Sequence, residues 1–258
     1  MNSNTQVISH FFLLSMAFGT QILSPVVNTK LTGVGFYKLC TAIVLGSLIL
    51  ALGIDIFMSP ALTMLDYVCY GILIVANVMS FAFHRDQKSI WMWALYITQL
   101  LTFTFLIYHV FNFEASWINL FFISASLLGI SNFSMLLGHY YLVVPKLSEE
   151  PLIYCLNIFW IVIFIRITSS IAFLSSSGAA YLEEGTLLGD GYIYNWLFIS
   201  MRYLWGYAAP LTLSFFTYKL CRLRSIQSAT GVLYIVEFFV IVGELISAYL
   251  MSKHGLAL

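Results

Sequence analysis

Four charged residues stand inside long apolar runs: Arg166, Arg202, Glu237 and Glu244. A charge within a bilayer costs about 2.5–3.5 kcal/mol on insertion scales, so such residues face the inside of a helix bundle and pair. Helical rise sets their depth. Arg166 and Arg202 each lie roughly 5 Å outward from the middle of their runs, and Glu244 roughly 7 Å to the same side, at about 1.5 Å per residue. The matched depth predicts that Arg202 or Arg166 pairs directly with Glu244. A plain salt bridge would lock the last three helices together. However, one carboxylate cannot neutralise two guanidinium groups, and an unpaired buried Arg is strongly destabilising. The surplus charge favours a proton relay or an anion clamp. Glu237 precedes Glu244 by seven residues, so both carboxylates share one helix face. Glu237 lies roughly 10 Å deeper, and that face could carry protons.

The run RYLWGYAAPL places Arg202, Gly206 and Pro210 four residues apart. Pro210 removes a backbone hydrogen bond and predicts a kink, freeing a carbonyl near residue 206. Gly206 offers a small surface and Trp205 an aromatic one. With Arg166, Arg202, Glu237 and Glu244 they form the candidate ligand-binding or proton-relay set, in a pocket expected between the last three spans. Trp160 and Trp205 could stack on a flat ring, although deep Trp residues more often fill a bundle core.

The histidines suggest a second chemistry. A membrane haem b is held by two imidazoles from neighbouring helices. His10 with His109 would make an outer pair, and His84 with His139 an inner one. None shows the repeated two-His spacing on a single helix, and a His meeting water or headgroups is the commoner case. Quinone or haem b is therefore the cofactor expectation. His10 also leads a stripe with Ala17, Gln21, Ser24 and Asn28, which suits close helix packing. Asp66 could join His10 and His109 in a polar vestibule or simply cap its helix. Ser225 or Ser228 could cap the last span, beside Arg222 and Arg224, where an anionic headgroup would also fit. Cys40, Cys69, Cys155 and Cys221 are widely spaced in apolar segments and read as buried thiols.

Composition dictates the elements that hold these residues. Of the 258 residues, 61% are hydrophobic and 9% charged; soluble domains carry about 45–50% and about 25%. Lipid must face most of the exterior. A spanning helix needs about 20 apolar residues. Eight such runs stand at 7–27, 36–57, 62–83, 90–111, 117–143, 152–174, 193–217 and 229–250. Short polar connections separate them, so residues 1–258 read as one polytopic transmembrane domain, an all-α bundle. The first run lacks the basic flank of a signal peptide and reads as retained. Lys30, Lys38, Arg85, Lys88, Lys146, Lys219, Arg222 and Arg224 fall on the odd connections. The even ones carry Asp55, Asp66, Glu114, Glu183, Glu184 and Asp190. By the positive-inside rule both termini are non-cytoplasmic.

Net charge is +0, which gives no pull toward nucleic acid. No G-x-S-x-G, P-loop or H-E-x-x-H motif occurs, and the connections are too short for a catalytic domain. Three classes remain. The first is a membrane subunit of a respiratory or electron-transfer complex that binds quinone or haem or relays protons, with lipids and other membrane subunits as partners. The second is a small-solute or ion transporter, although paired broken helices and an internal repeat are lacking. The third is a scaffold or assembly factor with no pocket. The bacterial cytoplasmic membrane is the expected location.

Overall fold

The computed structural model describes residues 4–25, 34–58, 62–83, 89–143, 148–175 and 192–258, with side chains from residue 196 onward in the last stretch. Among the described residues all regular structure is helical: α1 (Asn4–Leu23), α2 (Val34–Met58), α3 (Met64–Phe83), α4 (Ile90–Val110), α5 (Ala115–Val143), α6 (Glu150–Phe173), α7 (Tyr192–Tyr203), a π-helical segment (Leu204–Ala208), α8 (Ala209–Arg222) and α9 (Ile226–His254). Seven of these, α1 to α6 and α9, are long and apolar enough to cross a membrane.

The expected seventh span is composite. Backbone dihedrals stay helical at Tyr203, Ala208 and Ala209, so α7, the π segment and α8 run on without a break. Pro210 explains the interruption. It has no N–H to return to the carbonyl one turn back, and its ring crowds that carbonyl. A π turn just ahead of Pro210 absorbs the misfit by widening the ladder. The sharp event expected at Pro210 is thus a local π segment.

α5 is the central helix and contacts α1, α6 and α9. Lipid tails supply no hydrophobic push between helices, so close approach depends on small residues. Gly19 and Gly129 provide it. A Cβ on Gly129 would stand 2.4 Å from the Gly19 carbonyl carbon, and one on Gly19 only 1.9 Å from the Ala125 oxygen. Outward-facing residues are large and bare: Ile49, Leu50, Phe164 and Phe238 each expose more than half their surface. Met251 and Ala257 pack in the same cluster as Phe11 and Leu14 of α1.

Turn chemistry agrees in part with expectation. Asp66 does cap α3: its Oδ2 accepts from the Thr63 amide (2.8 Å) and the Thr63 hydroxyl (2.9 Å). Ser225 precedes α9 but makes no side-chain cap bond there. Its hydroxyl donates to Ser228 instead. All four cysteines are buried and unlinked.

Candidate functional site

Arg166 projects from α6, Arg202 from the end of α7 and Glu244 from α9, and all three side chains are fully buried. Both arginines reach the same carboxylate. Arg166 Nε lies 3.3 Å from Glu244 Oε1 and its Nη2 3.4 Å from Oε2. Arg202 Nη2 lies 2.9 Å from Oε1. The surplus positive charge meets oxygens that no charge pattern reveals. Arg166 Nη2 donates to the Ser247 hydroxyl and to the Leu258 main-chain oxygen, both at 2.7 Å, and Arg202 Nε donates to that same oxygen at 3.1 Å. Ser247 also donates to it. Arg166 Nη1 reaches Ser170 Oγ at 3.5 Å, and Ser170 bonds the Tyr207 hydroxyl at 2.5 Å.

The π segment makes this packing feasible. Arg202 Cζ sits 4.3 Å above the Tyr207 ring, a cation–π contact. Gly206 and Gly243 also lie close to the guanidinium. A Cβ on either would come within about 3 Å of Arg202 Nη1, and one on Gly243 would stand 2.5 Å from the Gly206 Cα. Nη1 has no hydrogen-bond partner among the described residues, yet it rests against helix backbone. Three described cavities lie elsewhere. The one nearest in chain terms, of about 240 Å³, is lined by Ser116, Asn119, Ser169, Phe173 and Ala257. Ser169 and Ala257 adjoin Ser170 and Leu258 in sequence. Trp205 turns outward: it is 37% exposed and packs edge-on against Phe239. Trp160 donates its indole N–H to Ser214 at 2.8 Å and borders an apolar groove with Phe164 and Phe215.

Two turns along α9, Glu237 is buried and takes one hydrogen bond at Oε2, from Ser131 of α5 at 2.5 Å. Its Oε1 has no partner among the described residues. Further buried polar contacts lie elsewhere in the bundle. Asn132 donates to Thr20 (2.9 Å), Gln21 to Gln99 (2.6 Å) and Gln99 to Ser80 (3.0 Å).

The described histidines have different surroundings. His109 Nδ1 lies 2.7 Å from Asp66 Oδ1, so the capping Asp also holds an imidazole. His10 is fully buried, with neither ring nitrogen bonded among the described residues. His139 faces the exterior and meets the Tyr234 hydroxyl at 2.8 Å. His84, and with it the expected inner pair with His139, lies outside the described residues. Asp55, assigned above to a connection, lies in the last turn of α2 and is fully buried. It accepts from Gln6 at 3.0 Å and from Tyr67 at 2.5 Å. Its place inside the predicted 36–57 run was the available signal. At the opposite end, Arg224 Nε meets Glu149 Oε1 at 3.1 Å on the surface. Glu149's own backbone amide, and then the Arg224 charge, hold that carboxyl below its usual range.

Comparison with protein-family models, curated proteins and solved structures finds no match. The functional reading therefore rests on these residues.

Proposed function

We propose that the chain is an eight-crossing membrane subunit of a larger electron-transfer complex, contributing a proton relay through its interior. In this reading α7, the π segment and α8 form one crossing, both termini are non-cytoplasmic, and the bacterial cytoplasmic membrane is the site. Glu237 carries the proposal. It is a carboxyl buried in the bundle with one oxygen on Ser131 and the other unpartnered among the described residues. A group so placed can take and release a proton without breaking a salt bridge. Glu244, shared by two guanidiniums, cannot do so cheaply. Arg166, Arg202 and Glu244 then act as a fixed charge cluster beside the relay, and Gly206 admits the Arg202 guanidinium. The quinone or haem b of such a complex would sit against partner subunits.

The test is extraction from the source membrane in mild detergent. Co-purifying subunits, with a Soret band or stoichiometric quinone, would support the proposal. A colourless, quinone-free single chain would overturn it. A scaffold is the second reading, and the close packing around Arg202 favours it. Infrared difference spectra separate the two. A relay shows a carboxyl band that titrates with pH and vanishes in Glu237→Gln, whereas a scaffold shows none.

A further inference from the structure

Where α6 and α8 meet, they leave an open groove of about 480 Å³, lined by Trp160 and Phe164 of α6 and by Leu211, Thr212, Phe215 and Phe216 of α8. Phe164, Phe215 and Phe216 each expose more than half of their surface. Trp160 is held by its bond to Ser214, and its ring lies 6.2 Å from that of Phe215. Lipid tails do not press such rings together, because they are as apolar as the rings. Space left unfilled beside them forfeits dispersion contacts. A flexible acyl chain fits an irregular apolar groove of this kind.

Charge selects among lipids. Lys219 Nζ lies 4.9 Å from the Phe215 ring centroid, so the ammonium stands beside a lining residue of the groove. Lys219 is one turn beyond Phe215, and Arg222 follows it by three residues in the last turn of α8. Such spacings make neighbours on one side of a helix. Both side chains are exposed, and neither enters an ion pair among the described residues. Arg224, by contrast, is paired with Glu149. An apolar groove with two such cations toward one end complements an acyl chain carrying an anionic headgroup. A phosphocholine headgroup brings its own cation and complements it less well.

We propose that this groove binds one anionic phospholipid of the surrounding membrane, with an acyl chain along Trp160, Phe164 and Leu211 and the phosphate at Lys219 and Arg222. The site requires a membrane-spanning bundle, but neither the Glu237 relay nor a partner subunit.

Tryptophan quenching in bilayers tests it. The full chain is reconstituted in phosphatidylcholine, and a minor fraction of brominated phosphatidylcholine or brominated phosphatidylglycerol is added. Bromine on an acyl chain quenches tryptophan only at close approach, and subtracting the signal of Trp160→Phe isolates Trp160. Each basic side chain near an anionic headgroup contributes about fivefold. Brominated phosphatidylglycerol should therefore quench Trp160 at a fraction about tenfold or more below that of brominated phosphatidylcholine. Lys219→Gln, an exposed substitution, should cut that preference by about fivefold, and Lys219→Arg should keep it. Equal quenching by the two lipids would overturn the site and leave only bulk lipid contact. So would a Trp160 silent to both, which would mean that protein covers the groove, or a preference unchanged by Lys219→Gln.

Discussion

Glu244 and Glu237 are two carboxylates on one face of one helix, and their surroundings give them opposite duties. Glu244 is the shared anion of Arg166 and Arg202. Replacing it with Gln leaves two buried guanidiniums around a neutral amide, and breaking a buried pair costs about 3–5 kcal/mol. Glu244→Gln should therefore lower the yield of folded protein and its melting temperature in detergent. Glu237→Gln keeps an oxygen for Ser131, so its stability change should stay below about 1 kcal/mol. The same melting experiment on both variants checks the contrast, and equal losses would contradict it. Depth along the helix was enough to read the Arg–Glu pairing from sequence, because rise per residue is nearly constant. The oxygens of Leu258, Ser170 and Ser247 were not legible. A main-chain oxygen has no sequence signature, and buried serines resemble the many that merely bond their own helix, as Ser126 and Ser134 do. Asp55 was misassigned for a similar reason. Proximity to a connection says nothing about which way the last turn of a helix faces.

At the scale of elements, two features position the site: the α1–α5 crossing and the π segment. Gly129 faces the Gly19 backbone so closely that an added methyl must push the helices apart. Overpacking of this kind costs about 1–3 kcal/mol. Gly129→Ala should accordingly destabilise the bundle and disturb Asn132 and Thr20, which lie beside that crossing. Gly46 supplies the control, since a Cβ there meets nothing within 4 Å. Gly46→Ala should be neutral or stabilise by about 0.5–1 kcal/mol through helix propensity alone. Thermal unfolding of the two single variants checks both signs. Seven spans were readable to within a few residues because apolar runs and lipid thickness specify length directly. The seventh expected run was legible as helical, and Pro210 flagged its irregularity. Whether a proline gives a kink or a π turn depends on neighbouring contacts. Here Gly243, distant in sequence, lies against Gly206, and Tyr207 lies under Arg202 five residues before it.

For the whole molecule, topology sets how charge is arranged across the membrane. The alternation of basic and acidic connections motivates the proposed eight crossings, and Met251 and Ala257 share one packed cluster with Phe11 and Leu14 of α1. Asn4 and Lys253 are exposed near the start of α1 and the end of α9, and Leu223 is exposed at the α8–α9 turn beside Arg222 and Arg224. The four native thiols are buried, so introduced cysteines can be read without removing them. In intact cells, Asn4→Cys and Lys253→Cys should react with a membrane-impermeant maleimide added outside, while Leu223→Cys should react only after the membrane is opened. Equal protection of all three, or labelling of Leu223→Cys alone, would contradict that orientation. Labelling of only one of Asn4→Cys and Lys253→Cys would mean an odd number of crossings, and then α7, the π segment and α8 together could not form a full one. That outcome would also alter the site. Arg202 lies at the end of α7, and its depth relative to Arg166 and Glu244 depends on α7 and α8 passing through the bilayer as one continuous helix.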